Sequence, residues 1–524
     1  MKREMLTKSD LLSFRRCPRK LWLEQHGPKQ NIIATPDRRM QEGTEVGAKA
    51  RERLGTDILC PESSFEDQAA AVKAEKELLA KFPGRTAVDV HMAHGGLYAR
   101  ADALIPKGKK YILQETKSSS FPLKKDGTPD TPDKRHLDDV AIQAWIMKGS
   151  KIPISHAKLN FIDGRWPYPG GGDYADLFRQ MDVTAKIKDR ISQVPAWLEQ
   201  AKKTLSGNIV PNADTGAQCS TPYACPFQGF CAKRKPPGPE HPLELLPNNA
   251  GKALAEKLRK DKGYESILDP KPHEFTGKEA DLYRRMQKAH RTGKSVLAAG
   301  SGKEMKVHRY PRYFFDFEGI NLAVPRWAGV KPNEQITFQW SCHIERAPGN
   351  FEHVEFLDLT GNDPSLPCIE KIIAAINRKD GGPIFVYHAT YERGRLEELA
   401  ERHPRHAPVL KSYLKRLVDL LPVVRKYYYH PDMRGSFSIK KVLKVIAPDL
   451  NHAHLDEVQD GTAAQIAYVE AANPKTSPER KAEIDENLRM YCRQDTWAMV
   501  EIAYFLESRG KRRPKRPSEG GSCH

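Results

Sequence analysis

The sequence contains no apolar run of about 18 residues, the length that a membrane-spanning helix needs. Its first residues, MKREMLTKSDLLSFRRC, lack the apolar stretch and the small-residue cleavage site of a signal peptide. Internal repeats and long low-complexity segments are also missing. These absences argue against membrane-embedded, secreted and repeat proteins, and we expect a globular protein of the cytoplasm with no membrane partner.

The chain lacks the even set of cysteines that a disulfide framework requires. It has nine, an odd number, among 524 residues. Three of them, Cys219, Cys225 and Cys231, follow one another with five residues between successive members. Thiolates grouped in this way indicate a metal or iron–sulfur site rather than disulfides.

Acidic residues are fewer than basic ones, 67 against 85, which gives a formal charge of +18. A positive excess of this size favours a polyanionic partner, and nucleic acid is the commonest one. A basic protein without such a partner has the same composition, so charge alone leaves both interpretations open.

The length predicts two or three domains, and the patterns of apolar residues indicate the α/β class. We place an N-terminal domain at residues 1–235, a basic helical connector at 236–305 and a second α/β domain at 306–510. The remaining residues, 511–524, have the composition of a disordered basic tail.

Two carboxylates open the second α/β domain. Asp316 and Glu318 lie in the run YFFDFE, which predicts a strand with both side chains on one face. A divalent cation between them would relieve their repulsion, and oxygen ligands suit Mg²⁺ or Mn²⁺. An exposed acidic pair at a strand end would show the same spacing.

Further site residues follow in a defined order. Glu392 comes shortly after the apolar run PIFVYH, in the first turn of a predicted helix. Tyr491 and Asp495 are four residues apart on a late helix and therefore share one face. The whole series resembles the DEDD family of 3′–5′ exonucleases with the RNase H-like fold, in its tyrosine-bearing subtype.

That resemblance implies four ligands for two divalent ions: Asp316, Glu318, Glu392 and Asp495. Two such ions, about 3.5–4 Å apart, would stabilise the entering and leaving oxygens of a phosphodiester displacement. Tyr491 would orient the attacking water or help to deprotonate it. The family usually has Asp where this chain has Glu392.

The stretch that begins at Asp419 contains a second feature of interest. Asp419 matches a recurrent Asp of this fold, and we expect a structural role for it. Aromatic residues then accompany Arg425, Arg434 and Lys440. They indicate either a stacking and phosphate surface for single strands or half-buried aromatic strands with solvated cations.

The N-terminal domain has an acidic motif of its own. The runs GLYARAD and YILQETK, joined by PKGKK, predict a hairpin that carries Asp102 on one strand and Glu115 with Lys117 on the other. Gln143 follows on a predicted helix. Two carboxylates can hold a divalent ion, and a lysine beside them can stabilise charge that develops on a phosphate. An ordinary ion pair on a hairpin has the same pattern.

Four cysteines bracket this motif: Cys17, Cys219, Cys225 and Cys231. The combination resembles the RecB-like nucleases of the PD-(D/E)XK superfamily, in the branch with a cysteine-bound 4Fe–4S cluster. The resemblance implies that Asp102 and Glu115 bind metal, that Lys117 and Gln143 complete the site, and that the cysteines hold the cluster. Zn²⁺ is the alternative for four thiolates, although their spacing is unlike the C-x₂-C of most zinc ribbons.

Taken whole, the chain resembles a bacterial fusion family in which a restriction-endonuclease-like PD-(D/E)XK domain, a helical connector and an RNase H-like domain follow one another. We expect a metal-dependent nuclease, acting as an exonuclease on single-stranded DNA or DNA ends. An RNA-processing exonuclease and a nucleic-acid-binding protein with inactive sites are the alternatives.

Overall fold

The computed structural model describes residues 5–27, 38–60, 67–234, 238–450, 458 and 460–515. The chain forms two compact units of mixed α/β structure. Unit 1 comprises Met1–Pro236 and Leu322–Glu334, and unit 2 comprises Pro237–Asn321 and Gln335–His524. The predicted boundary at 235/236 and residues 516–524 of the predicted tail lie outside the described residues.

Unit 1 is built on one seven-stranded sheet, in which β2 to β7 follow in chain order and β1 pairs with β4. Its strands are β1 (Leu6–Thr7), β2 (Ile58–Leu59), β3 (Thr86–His94), β4 (Leu97–Lys107), β5 (Lys110–Ser120), β6 (Ile154–Ile162) and β7 (Phe178–Asp182). Its helices are α1 (Lys8–Arg16), α2 (Pro18–His26), α3 (Arg38–Glu52), α4 (Gln68–Lys81), α5 (Lys134–Gly149), α6 (Thr184–Ser206) and α7 (Gln228–Lys233).

The centre of this sheet explains where its polar residues meet. Strands β3, β4 and β5 form an antiparallel meander, and β6 then pairs parallel to β5. A parallel pair needs a crossover connection, and the buried helix α5 provides it. Ten residues of α5 are buried, so any polar side chain on its inner face lies against the sheet.

Unit 2 contains a five-stranded sheet and a two-stranded one. Its strands are β8 (Val296–Leu297), β9 (Arg312–Asn321), β10 (Gln335–Ala347), β11 (Asn350–Leu357), β12 (Ile384–Val386), β13 (Leu417–Asp419) and β14 (Tyr428–Tyr429). Its helices are α8 (Asn248–Lys262), α9 (Ala280–Thr292), α10 (Ser301–Lys306), α11 (Ser365–Ala375), α12 (Thr390–Arg402), α13 (Ala407–Leu414), α14 (Leu420–Tyr427), α15 (Ile439–Ile446), α16 (Gly461–Ala471) and α17 (Pro478–Ser508).

The five-stranded sheet has the order β11-β10-β9-β12-β13. Strands β9, β10 and β11 are antiparallel neighbours, whereas β12 runs parallel to β9 and β13 parallel to β12. Strand β9 is therefore central. Its alternate residues Tyr313, Phe315 and Phe317 are buried in one core cluster, which leaves Asp316 and Glu318 for the opposite face.

The residues predicted as a connector share the core of unit 2. Leu258 of α8 and Met286 of α9 are buried in the same cluster as Phe314 of β9 and Trp497 of α17. Tyr428 and Tyr429 of β14 are buried there as well. Of the two interpretations given for this stretch, aromatic strands that pack into the core describe these two tyrosines. They do not form a surface for base stacking.

Across the residues that the structure describes, no helix combines the length and the apolar character needed to cross a lipid bilayer.

Asp419 organises the chain at the end of β13. Its carboxylate accepts backbone N–H bonds from Leu421 at 3.0 Å, from His388 at 2.9 Å and from Ala389 at 3.0 Å. It thereby caps α14 and also holds the segment that leads into α12. These three bonds agree with the structural role expected for Asp419.

We expect Asp419→Ala to lower the free energy of unfolding by about 1–3 kcal/mol, because three amides lose a charged acceptor. Hydrogen exchange should accelerate at the amides of His388, Ala389 and Leu421. Asp419→Asn should have a smaller effect, since one side-chain oxygen remains. Asp432→Ala, at a side chain that is 77% exposed, serves as the control. Equal stability of the Asp419 and Asp432 variants would contradict this role.

Candidate functional site

The acidic cluster of unit 2 forms where β9 meets α17. Asp316, Glu318 and Asp495 each offer a carboxylate oxygen, and these oxygens all lie within 4.8 Å of one another. In the part of the chain that the structure describes, this is the one group of three or more His, Cys, Asp or Glu side chains that meets this limit. The structure thus brings together three of the four carboxylates predicted for this site.

A β-bulge and a glycine shape this end of β9. The register of β10 shifts between Thr337 and Gln339, opposite Gly319 and Glu318. A Cβ at Gly319 would lie 2.8 Å from the Tyr391 hydroxyl oxygen, so a larger residue would have to displace that side chain. Bulges commonly redirect side chains next to active sites, and this one lies beside Glu318.

Glu392, the fourth predicted ligand, lies in the first turn of α12 and is 2% exposed. It does not belong to the group within 4.8 Å, yet its charge contributes to raising the pKa of Asp316 and of Glu318. Its Oε2 atom is buried without a hydrogen-bond partner among the described residues. A buried carboxylate oxygen of this kind fits a cation ligand.

The electrostatics reflect three acids that share a small buried volume. Burial, followed by the charges of Asp495 and Glu318, raises the pKa of Asp316 well above its usual range. Burial and the Asp495 charge raise the pKa of Glu318 to about 8. Burial raises the pKa of Glu392 to about 8 as well. Hard oxygen donors under mutual repulsion are a suitable donor set for Mg²⁺ or Mn²⁺.

Tyr491 accompanies the carboxylates on α17. It is 4% exposed, and burial together with the charges of Asp495 and Glu318 raises its pKa above the usual range for tyrosine. The ammonium nitrogen of Lys440 lies 5.2 Å from the centre of the Tyr491 ring. The Tyr491 hydroxyl therefore stays protonated at neutral pH.

Two residues were not predicted as members of this site, although the sequence analysis named one of them, Lys440, among the cations of a possible phosphate surface. The thiol of Cys492 lies 3.8 Å from Asp316 Oδ2 and is fully buried. Lys440 lowers the pKa of Glu318, which places its charge near the cluster. Cys492 adjoins Tyr491 in the chain, a position that could have suggested it. No local signal distinguishes Lys440 from the other lysines of its segment.

In unit 1 the predicted residues meet between β4, β5 and α5. Asp102 accepts the Thr116 N–H bond at 2.7 Å. The side-chain amide of Gln143 donates to Glu115 at 2.7 Å, and the Lys117 ammonium donates to Glu115 at 2.8 Å. Asp102, Glu115, Lys117 and Gln143 thus occupy one site, as predicted.

This site contains two further charged residues, Lys8 and Asp139. Lys8 Nζ lies 3.0 Å from Glu115 Oε1 and 2.8 Å from Asp139 Oδ1, and Lys117 Nζ lies 2.5 Å from Asp139 Oδ2. Asp139 could have been found from its sequence, because it precedes Gln143 by four residues on the same helix. Lys8 could not, because it reaches the site from the start of α1.

Burial and charge set the protonation of the unit 1 site. Burial, and then the charge of Glu115, raise the pKa of Asp102 to about 7. Burial alone would raise the pKa of Asp139, but Lys117 and Lys8 hold it below its usual range. Gln143 Oε1 is buried without a hydrogen-bond partner among the described residues. Two carboxylates and this amide oxygen fit a hard cation.

The four predicted cluster cysteines lie on two adjoining segments of unit 1. Cys17 joins α1 to α2, and Arg16 beside it donates to Gln218 O at 2.9 Å and to Tyr223 O at 2.6 Å. Arg19 lies 3.5 Å from the sulfur of Cys231. The early cysteine is therefore held beside the loop that contains the three late ones.

The spacing of the sulfur atoms bears on the choice of metal. Thiolates on one Zn²⁺ lie about 3.8 Å apart, given a Zn–S bond of about 2.3 Å in a tetrahedron. Within the described residues, no three of these four sulfur atoms lie within 4.8 Å of one another. Among the described residues, these sulfur atoms are therefore not placed as they would be around a single tetrahedral Zn²⁺.

The raised pKa of Glu318 predicts how the free energy of unfolding depends on pH. An acid whose pKa rises from 4.5 to about 8 on folding binds its proton more tightly in the folded state. Its contribution to stability is present below pH 4.5 and is lost as the pH rises toward 8. Without divalent ions, Glu318→Gln should therefore raise the free energy of unfolding at pH 8 by about 1–3 kcal/mol and have little effect at pH 4.5.

Urea denaturation in EDTA at several pH values measures this difference. Glu483→Gln is the control, because Glu483 lies on the same helix as Asp495 and is 57% exposed. Addition of Mn²⁺ should raise the free energy of unfolding of the native protein more than that of the Glu318→Gln variant. A Glu318→Gln protein that is less stable than the native one at pH 8 would contradict the repulsion described above.

The chain is similar to a protein family and to individual proteins whose descriptions state no activity. A family model described as "Domain of unknown function (DUF2779)" matches residues 313–438. Uncharacterized protein UU173 of Ureaplasma parvum is 25% identical over 216 residues, which cover 37% of this chain and 31% of that protein. Uncharacterized protein MG366 of Mycoplasma genitalium is 22% identical over 218 residues, which cover 37% and 32%.

These matches span about a third of the length of the two curated relatives. A solved structure entitled "Crystal structure of SSO0001" is 17% identical to the chain, covers 45% of it and 90% of its own length, and has a TM-score of 0.21. A TM-score of this size supports no inference about the fold. The matched domain of unknown function contains Asp316, Glu318 and Glu392, and ends before Tyr491 and Asp495.

Proposed function

We propose that the chain is a metal-dependent nuclease with two separate sites, the one in unit 2 being a DEDD-type exonuclease site. The observation that carries this proposal is the meeting of the Asp316, Glu318 and Asp495 oxygens within 4.8 Å beside the buried Tyr491. Three carboxylates in so small a volume repel one another, and divalent cations are the partners that make such a group favourable.

The topology of unit 2 supports an RNase H-like assignment. In that fold the first strand is central, the second and third pair antiparallel on one side, and the fourth and fifth pair parallel on the other. The order β11-β10-β9-β12-β13 has this form, with the Asp-x-Glu pair on the central first strand. Glu392 then follows the fourth strand, and Asp495 comes from the last helix.

Each residue of the unit 2 site has its own role in the proposed hydrolysis of a phosphodiester. Asp316, Glu318, Asp495 and Glu392 would hold the divalent ions, which supply Lewis-acid stabilisation of the entering and leaving oxygens. Because the Tyr491 hydroxyl stays protonated, it orients the attacking water as a hydrogen-bond donor rather than deprotonating it. Lys440, next to Tyr491, carries positive charge toward the scissile phosphate.

The unit 1 site supports a PD-(D/E)XK assignment. Its meander β3-β4-β5, the helix α5 and the parallel strand β6 follow in the order of that fold's core. Asp102 and Glu115 would bind the ion, and Lys117 would stabilise negative charge on the phosphate. Lys8 and Asp139 extend this set, because each bonds directly to a member of it.

The substrate we propose is DNA, with single strands or ends as the preferred form. The charge of +18 favours a polyanion but does not select the sugar. RNA therefore remains the second substrate to be tested, and binding without cleavage is a third outcome. For the four cysteines of unit 1 we propose a 4Fe–4S cluster that joins the two ends of the domain, with zinc as the alternative.

Site variants test the nuclease proposal. Asp316→Asn and Asp495→Asn should each reduce one Mg²⁺- or Mn²⁺-dependent degradation of an end-labelled strand by at least about 100-fold, because a lost ligand removes several kcal/mol of transition-state stabilisation. Glu115→Gln and Lys117→Ala should do the same to a second activity. Matched single- and double-stranded DNA and RNA substrates identify the preferred nucleic acid.

Glu483→Gln and Glu199→Gln, both at exposed side chains, are the matched controls for the two units. Cleavage that stays unchanged in all four site variants would contradict the proposal. Retained strand binding with no cleavage by the native protein would favour the inactive-site alternative.

Metal analysis tests the cluster. After anaerobic purification we expect about four iron atoms per chain and the visible absorbance of a 4Fe–4S cluster. Cys225→Ser should lose both and lower the melting temperature, whereas Cys60→Ser, at an exposed cysteine, should lose neither. Stoichiometric zinc without iron would overturn the iron assignment and leave the nuclease proposal intact.

A further inference from the structure

A cavity of about 640 Å³ lies within unit 2 at the carboxyl end of β12. Its wall includes Tyr387 and His388, where the chain leaves β12, and Phe437 and Ser438, which precede α15. We call it the β12 cavity. Ligands of open α/β sheets bind outside the carboxyl ends of the strands, and this cavity has that position.

The wall of the β12 cavity is positively charged. Lys252, Arg425 and Arg434 line it, and Glu244 is the one acid among the described residues that do so. Glu244 is already paired with Arg259 at 2.6 Å. Arg425 pairs with Glu279 through one guanidinium nitrogen, while its Nε is buried without a hydrogen-bond partner among the described residues. The wall therefore favours an anionic ligand.

Two helices begin at this wall. Pro247 caps α8 and Ser438 caps α15, and neither cap makes a side-chain hydrogen bond to the first turn. The first N–H groups of a helix have no intrahelical acceptor, and the helix dipole makes that end positive. Two uncapped helix starts beside three cationic side chains form a binding site for a phosphate group.

Backbone conformation adds an independent observation. Seven described residues other than glycine have a positive φ, and three of them line the β12 cavity: Asn248 at 63°, His388 at 73° and Arg434 at 48°. His388 is held by its N–H bond to Asp419 at 2.9 Å, and Arg434 donates to Glu240 O at 2.9 Å. Such conformations are uncommon for residues other than glycine and gather at ligand-binding sites.

Aromatic side chains complete the wall. The Tyr387 hydroxyl donates to the Phe437 carbonyl oxygen at 2.6 Å, which fixes these two residues relative to each other. His388 is exposed beside them. Aromatic faces next to a cationic phosphate site are the combination that binds nucleotides of a single strand, because every base can stack.

We propose that the β12 cavity is a nucleotide-binding subsite. The phosphate would lie at Lys252, Arg434 and the starts of α8 and α15, and the base would lie against the exposed His388 or the half-buried Tyr387. This inference rests on the proposed nuclease function, since it assigns the cavity to an uncleaved nucleotide of the strand whose end lies at the acidic cluster.

Two chain segments connect the cavity to the acidic cluster. Three residues lie between His388, on the cavity wall, and Glu392. One residue lies between Ser438 and Lys440, whose ammonium lies 5.2 Å from the Tyr491 ring. A strand with its terminal phosphate at the acidic cluster would therefore reach the cavity with a neighbouring nucleotide.

The test uses the full chain with Asp316→Asn and Asp495→Asn, so that strands are bound without being cleaved. Fluorescence anisotropy of a labelled single-stranded oligonucleotide is measured over a range of salt concentrations. Lys252→Glu should weaken binding by about 10-fold or more. Lys252→Ala should reduce the salt slope, which is the slope of the logarithm of the affinity against the logarithm of the salt concentration, by about one. Lys252→Arg should bind normally.

Lys260→Ala is the matched control, because Lys260 is an exposed lysine of the same helix that does not line the cavity. A 2-aminopurine base, moved along the strand, should be quenched most at one internal position, and His388→Ala, at an exposed residue of the cavity wall, should reduce that quenching. Nucleoside 5′-monophosphate as a competitor distinguishes a site that also accepts the free nucleotide from one that requires the strand.

Unchanged affinity and salt slope in Lys252→Glu, or equal losses in Lys252→Ala and Lys260→Ala, would overturn the subsite. Quenching that is equal at all positions would overturn it too. The proposed function fails separately, if the native protein binds strands through Lys252 but cleaves none of them with Mg²⁺ or Mn²⁺.

Discussion

The burial of three carboxylates at one point is the constraint on which unit 2 depends. Asp316 and Glu318 share a face of the central strand, and Asp495 joins them from α17, with oxygens within 4.8 Å of one another. Burial, followed by their mutual repulsion, raises the pKa of Asp316 and of Glu318 and disfavours the folded chain above neutral pH. The aromatic core on the other face of β9 holds the strand in place against this repulsion.

The two proposed sites differ in how the cost of burying neighbouring carboxylates is offset. In unit 1, two ammonium groups lie between Glu115 and Asp139, with nitrogen–oxygen distances of 2.5–3.0 Å. Opposite charge therefore offsets the burial of these acids within the chain itself. In unit 2 three carboxylates come together, the charge of Lys440 acts on Glu318, and we propose that a divalent cation offsets the remaining repulsion.

The local sequence pattern was sufficient to predict several strands and helices. The alternation in YFFDFE predicts β9, and the four-residue spacing of Tyr491 and Asp495 predicts a shared helix face in α17. The hairpin of Asp102 and Glu115 follows from two alternating runs around a glycine-containing turn. Each of these predictions depends on neighbours within a few residues, and such contacts are set by the chain's own geometry. The cysteine spacing likewise predicts a thiolate site but does not show that Cys17 lies beside the late cysteines.

What the sequence by itself determined is therefore the mixed α/β class, the basic charge and most of the carboxylates of the two sites. The tertiary structure decided which side chains meet them. Lys8 reaches Glu115 across 107 residues, and Lys440 of α15 lies beside Tyr491 of α17, neither with a local signal for that contact. The tertiary structure also decided that Tyr428 and Tyr429 are core residues and that α8 and α15 begin at one cavity. Long-range packing controls these outcomes, because the free energy of burying a side chain depends on the surface it meets and not on its neighbours in the chain.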